Sequence, residues 1–154
     1  MEYIFKEYFK VSIWTYDGKD ILSHNDLPEE TTDIVYRINY TDNTSYIGKK
    51  TIRADRRLKP TKEQLAIRKN YKRVESKLLP FKDYIGSSKE NDGKDIRNKV
   101  ILFCCSNKRT ATYLESKLLF MHNVLENDIF NNKNILGSFY DNCLDGLINN
   151  SKDK

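Results

Sequence analysis

The sequence predicts an α+β domain, with a small, mostly antiparallel β-sheet flanked by helices. Residues 34–40 (IVYRINY) alternate in the period of two that is typical of a strand, whereas residues 110–125 carry apolar side chains at helical spacing. The predicted order is strand, strand, helix, strand, helix, which is an α+β arrangement. A chain of 154 residues with 38% hydrophobic side chains is long enough to form one domain with a core of its own.

The N-terminal part predicts one strand and a connector. Residues 8–16 (YFKVSIWTY) alternate enough to form a strand, and a turn follows at DGKD. Residues 24–33 are polar and contain a proline, which indicates a connector. We therefore expect an N-terminal extension with one strand over residues 1–30, the main domain over residues 31–142, and a polar tail over residues 143–154.

A β-hairpin is predicted between residues 34–40 and residues 45–50 (SYIGKK). A three-residue loop would place Tyr36 and Tyr46 on one face as diagonal neighbours, and Asn43 suits the left-handed position that such a loop needs. A four-residue loop would place the two tyrosines on opposite faces, because a slip of one residue inverts the pattern. The sequence leaves both registers open.

Two helices and a third strand complete the prediction. The stretch TKEQ, with Thr61 as N-cap and Gln64 at the third helical position, fits a capping box that opens a basic helix ending near Lys77. Residues 99–105 (KVILFCC) indicate a buried strand. In the helix over residues 110–125, the expected core-facing side chains are those of Leu114, Leu118, Met121 and Leu125.

Positive charge is concentrated in one segment. Residues 49–77 contain twelve lysines and arginines against three acidic residues, a net charge of +9, whereas the remainder carries −4 and the whole chain +5. A one-sided positive field suits a polyanion, and nucleic acid is the commonest such partner. An anionic membrane surface fits less well, because the segment has few large apolar residues to insert.

Compartment and membrane signals favour a protein of the cytoplasm. No apolar run approaches the ~20 residues of a membrane-spanning helix, and the aromatic, charged N-terminus is unlike a secretory signal. The three cysteines, Cys104, Cys105 and Cys143, are odd in number, and the adjacent pair is typical of small apolar strand residues in a reducing compartment.

An ordered set of motifs resembles the GIY-YIG nuclease superfamily, in particular a phage-encoded branch similar to homing endonucleases. The resemblance spans roughly residues 31–140, and Ile34-Val35 stands where the family has Gly-Ile before its first tyrosine. The matching pieces are VY at 35–36, YIGKK at 46–50, ES at 75–76, DYIGSS at 83–88, YLESKLLF at 113–120 and FNNKNILGSFY at 130–140.

The resemblance implies hydrolysis of DNA phosphodiesters, expected in double-stranded DNA, with one divalent metal, Mg²⁺ or Mn²⁺. It implies that Tyr36 acts as general base on the attacking water, that Tyr46 orients Tyr36 and the phosphate, and that Glu115 is the metal ligand. A tyrosine with a pKa of ~10 is a poor base at neutral pH, so we expect nearby cations to favour the phenolate.

The resemblance leaves two further assignments open. Asn132 corresponds to the family's late asparagine, with Asn131 and Asn134 as alternatives. For the basic residue that contacts the scissile phosphate, Arg56 matches the spacing best, with Arg53 and Lys50 as rivals. The residues expected to contact DNA are Lys49, Lys50, Arg53, Arg57, Lys69, Lys72, Arg73, Ser87 and Ser88, although the two serines would serve equally well as a turn.

Two other functions remain in competition with a nuclease. One is a DNA-binding module that keeps the fold without catalysis, and the other is an RNA-binding protein that uses the basic segment and surface aromatic residues. The presence of Tyr36, Tyr46, Glu115 and Asn132 favours the enzyme. Target choice, oligomeric state and a role in homing, host-DNA degradation or repair are left open by the sequence.

Overall fold

A five-stranded sheet forms the centre of the protein. A computed structural model describes residues 12–86 and 88–148. The strands of the sheet are ordered β2-β1-β7-β3-β4, and only β1 and β7 run parallel, so the predicted α+β class with a mostly antiparallel sheet is confirmed. The elements are β1 (Trp14–Tyr16), β2 (Lys19–Ile21), β3 (Asp33–Tyr40), β4 (Ser45–Thr51), β5 (Arg53–Leu58), α1 (Lys62–Ile67), β6 (Arg73–Leu78), β7 (Ile96–Cys105), α2 (Lys108–Met121), β8 (Asn134–Ile135) and β9 (Phe139–Tyr140).

Strand β3 lies between β7 and the edge strand β4 and is covered on both faces. Its even-numbered side chains, including Tyr36, join Trp14 and Phe81 in the largest buried cluster. Its other face packs against α2, where Val35 and Ala111 belong to a second buried cluster. Among the described residues, no helix is long and apolar enough to cross a membrane.

The N-terminal strands belong to the same sheet as the hairpin. β1 and β2 lie within the segment predicted as an N-terminal extension, yet β1 pairs with the central part of β7. The sheet therefore continues across the predicted boundary at residue 30. Residues 8–11 of the predicted strand lie outside the described residues, and the strand begins at Trp14.

The hairpin has the three-residue loop. Tyr36 pairs with Gly48 and Ile38 with Tyr46, and Asn43 has a φ of 65°, in the left-handed region that this loop requires. The register that places Tyr36 and Tyr46 on one face is therefore the one formed, and their ring centroids are 6.3 Å apart.

The predicted basic helix is wrong beyond its first turns. The capping box at Thr61 and Gln64 is present, but α1 ends at Ile67. Residues 68–72 form a turn, and β6, which pairs with β5, begins at Arg73. A longer helix would place like charges three and four residues apart over residues 68–73, which destabilises a helix. In the structure, residues 68–72 form a turn and only Arg73 is in a strand, so these cations are not held on one helical face.

The second helix also differs from its prediction. α2 begins at Lys108, after an N-cap at Asn107, and ends at Met121, which is 65% exposed rather than buried. The buried positions on α2 are Ala111 and Leu119. The predicted strand over residues 99–105 is confirmed as the last seven residues of β7, but only Lys99, Ile101 and Cys105 among them are buried.

Candidate active site

Three tyrosines form a cluster on the face of the sheet opposite α2. The Tyr36 ring, which is 1% exposed, lies 5.2 Å from Trp14, 5.8 Å from Tyr84 and 6.3 Å from Tyr46 between centroids. Its hydroxyl group is hydrogen-bonded to that of Tyr84. The Lys50 ammonium stands 4.3 Å above the Tyr84 ring centre. Tyr36 is therefore held on several sides, with Tyr84 as its hydroxyl partner.

Gly48 makes room for the Tyr36 hydroxyl group. A Cβ atom at position 48 would lie 2.5 Å from Tyr36 Oη, 2.7 Å from Tyr36 Cζ and 3.0 Å from Tyr46 Cε1. The glycine is required by this close approach, because any side chain would overlap with the phenol. At the glycine of the YIG triplet, the Tyr36 hydroxyl group thus packs directly against the backbone of the edge strand β4.

A cleft of about 500 Å³ lies at the edge of β4. It is lined by a predicted site tyrosine, a predicted DNA-binding lysine and the predicted metal ligand, which are Tyr46, Lys49 and Glu115. Ser88 and Asn132 also line it. The Lys49 ammonium donates a hydrogen bond to Thr112 Oγ1 on α2 at 2.5 Å. The edge of the sheet, α2 and the segment over residues 132–137 therefore share one solvent-accessible space.

Glu115 occupies the stripe of α2 that faces the sheet. It lies four residues after the buried Ala111 and four before the buried Leu119, so its carboxylate stands where a core side chain would be expected. Burial raises the pKa of Glu115, and the charge of Lys49 partly opposes this rise. No cation in the described part of the chain lies within ion-pair distance of the carboxylate. Such a partly desolvated, unpaired carboxylate suits a cation.

Asn132 closes the open edge of β4. Its side-chain oxygen accepts a hydrogen bond from Ile47 N at 3.1 Å, and its Nδ2 donates one to Ile47 O at 2.7 Å. The backbone adds two more contacts, since Ser45 N donates to Ile129 O and Asn131 N donates to Ser45 O, both at 2.8 Å. The Asn132 side chain thus pairs with the open edge of β4 as a neighbouring strand would, and it fixes the wall of the cleft next to Tyr46.

The two alternative asparagines have different surroundings. Asn131 contacts Thr44, Asn91 and Lys94 through its side chain and does not line the cleft. Asn134 does line the cleft, and its side-chain oxygen accepts a hydrogen bond from Gly137 N at 3.1 Å.

The family is shown by a comparison of the chain with known families. Residues 14–141 match a family model described as "Putative endonuclease segE, GIY-YIG domain". The chain belongs to this family. No curated protein and no solved structure matches the chain. The match covers every element from β1 to β9, so the SegE-type GIY-YIG domain includes the N-terminal strands.

The electrostatics of the SegE-type site disfavour a tyrosinate. Burial is the main cause that raises the pKa of Tyr36 well above its ordinary value, and Tyr84, Tyr46 and the charge of Glu115 raise it further. The cations expected to favour the phenolate lie elsewhere, because Lys50 stands over Tyr84 and Lys49 binds Thr112. Tyr36 is therefore a neutral phenol in this arrangement.

The structure does not bring Arg56 into the cleft. Arg56 is exposed on β5, directly opposite Glu75 on β6, because the chain leaves the sheet after β4. Arg53 stands where β5 begins and donates to Glu29 O at 3.3 Å. Of the three candidates for the scissile phosphate, Lys50 alone contacts the tyrosine cluster, and its neighbour Lys49 lines the cleft.

The remaining residues predicted to bind DNA fall into two places. Ser88 lines the cleft and its hydroxyl group accepts a hydrogen bond from Glu90 N at 3.3 Å, whereas Ser87 lies outside the described residues. The others, Arg57, Lys69, Lys72 and Arg73, are exposed in the segment that carries β5 and β6.

Sequence reasoning missed two residues that support the site. Tyr84 lies in the DYIGSS motif, and its contact with Tyr36 depends on a fold that joins positions far apart in sequence. Lys99 is fully buried, and its ammonium donates to Lys82 O at 2.8 Å and Tyr84 O at 3.3 Å. A lysine inside a predicted buried strand is the signal that could have identified it.

Proposed function

We propose that this SegE-type domain is a DNA endonuclease that hydrolyses phosphodiester bonds with one divalent metal, Mg²⁺ or Mn²⁺, held at Glu115. One observation carries the proposal. The Glu115 carboxylate is partly buried on the sheet-facing stripe of α2, and it opens into the same cleft as Tyr46 and Lys49. A carboxylate, a phenol and an ammonium around one space of about 500 Å³ are suited to a phosphodiester.

The donor set fits a hard cation with few protein ligands. The described residues contain no group of three or more His, Cys, Asp or Glu side chains that could hold a metal. Mg²⁺ keeps several of its waters and is commonly bound through one or two carboxylates together with phosphate oxygens. Glu115 would therefore hold the metal, and its backbone position is fixed by Ala111 and Leu119 one helical turn on either side.

The metal, when bound, supplies positive charge that neutralises phosphate oxygens and offsets the Glu115 charge that now disfavours the Tyr36 phenolate. Tyr46 lines the cleft and can orient the phosphate, and the Tyr36 ring packs against the Tyr46 ring with centroids 6.3 Å apart. Tyr36 would accept the proton of the attacking water only as a phenolate, after losing its own proton to solvent; as the neutral phenol it would orient that water through a hydrogen bond. Lys49 provides a second positive charge at the cleft.

Asn132, Lys50 and Tyr84 support the site by holding other residues in place. Asn132 uses both polar atoms of its side chain on the backbone of Ile47, so we assign it the role of holding β4 and Tyr46 in place rather than contacting the phosphate. Lys50 lies over the Tyr84 ring, and Tyr84 packs edge-on against Tyr36, so the two help to hold Tyr36 in place.

A plasmid-cleavage assay tests this proposal. Purified protein incubated with supercoiled plasmid and Mg²⁺ or Mn²⁺ should convert it to nicked or linear DNA, and an excess of chelator should stop the reaction. Metal-independent cleavage would contradict the assignment of Glu115. A protein that binds the plasmid but never cuts it with either metal would instead be the non-catalytic DNA-binding module.

A further inference from the structure

The segment that leaves the sheet after β4 is a separate basic arm. We use this name for residues 53–78, which comprise β5, α1 and β6. Within the described part of the chain, β5 and β6 pair only with each other, in an antiparallel ribbon of six residue pairs, and α1 lies in the connection between them. Six residues of strand extend over ~20 Å, so the arm is a long, thin structure. None of its residues, all of which the structure describes, is buried.

The charge of the chain resides in this arm. It carries ten lysines and arginines against three acidic residues, a net +7, whereas the whole chain carries +5. Among the described residues, none of these ten cations forms an ion pair with a carboxylate. They are Arg53, Arg56, Arg57, Lys59, Lys62, Arg68, Lys69, Lys72, Arg73 and Lys77. An isolated two-stranded ribbon is marginally stable in water, so a polyanionic partner would stabilise the arm as well as bind it.

Both faces of the ribbon are cationic. The register places Arg53 and Arg57 on one face, and Arg56, Arg73 and Lys77 on the other. A ribbon that rested on a flat polyanionic surface would need charge on one face alone. A ribbon inside a groove lies between two phosphate walls, so charge on both faces is useful. The major groove of B-DNA, ~12 Å wide, admits a two-stranded β-ribbon, whereas that of A-form RNA is too narrow.

The base of the arm is fixed to the domain. Leu79 N donates to Ile52 O at 2.8 Å, so the two ends of the arm meet at its root. His24 Nε2 lies 3.0 Å from both Ile52 O and Leu79 O, and the His24 ring packs edge-on against the buried Phe81 at 4.9 Å. The arm therefore projects from a rigid point, one residue past the end of the strand that lines the cleft.

We propose that the basic arm lies in the major groove of double-stranded DNA and holds the duplex against the cleft. This inference rests on the proposed function, because it takes the substrate of the cleft to be DNA. The arm supplies affinity through phosphate contacts on both groove walls, while the cleft supplies the chemistry. Single-stranded DNA lacks the two walls and duplex RNA lacks an accessible major groove, so both bind more weakly.

Two full-length triple variants with the same net charge test the arm. Arg57, Lys69 and Lys72, all exposed in the arm, are changed together to glutamine. The matched control changes three exposed lysines elsewhere to glutamine, namely Lys19, Lys82 and Lys108. Binding to labelled duplex DNA, single-stranded DNA and duplex RNA of one sequence is measured by fluorescence anisotropy over a salt series. A chelator prevents cleavage, and thermal unfolding verifies that each variant is folded.

The arm variant should bind duplex DNA at least ~10-fold more weakly at ~0.1 M salt, and its slope of log affinity against log salt should fall by up to ~2.7, about 0.9 per lost phosphate contact. The control should keep the slope of the parent. Equal slopes for the two variants would overturn the proposal, and equal losses on all three nucleic acids would overturn the groove placement. Binding by a parent that never cuts would refute the nuclease alone, whereas cutting with unchanged binding by the arm variant would refute the arm alone.

Discussion

Gly48→Ala tests whether the close approach of Tyr36 to β4 is needed for activity. The new Cβ would lie 2.5 Å from Tyr36 Oη, whereas ordinary contacts begin at 3.4 Å, so one group must move by about 0.9 Å. The phenol has little room to retreat, because Trp14, Tyr46 and Tyr84 surround its ring. Overpacking of this kind costs ~1–3 kcal/mol, and the smaller backbone entropy of alanine in the unfolded chain returns ~0.4–1 kcal/mol.

We therefore expect a net loss of ~1.3 kcal/mol in the free energy of unfolding at the midpoints of these ranges, at most ~2.6 kcal/mol, and a far larger effect on cleavage. A misplacement of ~1 Å in a catalytic group reduces the rate ~10²-fold. Urea unfolding measures the first quantity, and the initial rate of plasmid nicking with Mg²⁺ measures the second. Gly146→Ala is the matched control, because a Cβ at Gly146 would meet nothing within 4 Å.

The double variant separates steric from chemical effects. In a Tyr36→Phe background the nearest clashing atom is gone, so Gly48→Ala should destabilise the protein by less than it does in the parent. A Gly48→Ala protein that cuts DNA at the parent rate would refute the placement of the Tyr36 hydroxyl at the active site.

Three further predictions concern the surroundings of the cleft. Tyr36→Phe should reduce cleavage ~10²–10⁴-fold with DNA binding intact, while Tyr113→Phe, at a side chain that is 65% exposed, should have no effect; equal rates would make Tyr36 a packing residue. Asn132→Ala leaves a backbone N–H and C=O of β4 unpaired and should lower the free energy of unfolding by ~2–4 kcal/mol. Urea unfolding measures this change, and a loss below ~0.5 kcal/mol would contradict the prediction. Burial lowers the pKa of Lys99 to about 8, so between pH ~8 and ~10 Lys99 is protonated in the unfolded chain but not in the folded one. The free energy of unfolding therefore rises with pH over this range, by up to ~1.4 kcal/mol per pH unit. Lys99→Met should remove this rise, and urea unfolding of parent and variant with the same pH dependence would contradict the prediction.

The hairpin could be predicted from the sequence because its signals are local. The alternation in β3 identifies a strand, and the polar turn with Asn43 identifies its end. The register could not be chosen, because three- and four-residue loops are both common and differ only in which face each side chain meets. The burial of Tyr36 against Trp14 and Tyr84 decides it, and these contacts join residues far apart in the chain.

The basic arm could not be predicted because its strands have no buried face. A ribbon exposed on both sides lacks the apolar alternation that identifies a strand, so the capping box at Thr61 and the basic run after it indicated a longer helix. A core-facing stripe through Leu114 and Leu118, as the sequence predicts, would leave Glu115 at its margin. The small side chain of Ala111, four residues before Glu115, is what places the carboxylate on the sheet-facing stripe.

The most direct test of the account is the comparison of cleavage and binding in Glu115→Ala. The variant should lose plasmid cleavage in Mg²⁺ and in Mn²⁺ while it binds duplex DNA as tightly as the parent or more tightly, because a negative charge facing the phosphates is removed. Glu126→Ala, at an exposed glutamate, is the control and should keep both activities. Cleavage by Glu115→Ala at the parent rate would contradict the account, and a joint loss of DNA binding and thermal stability would show that Glu115 is a structural residue.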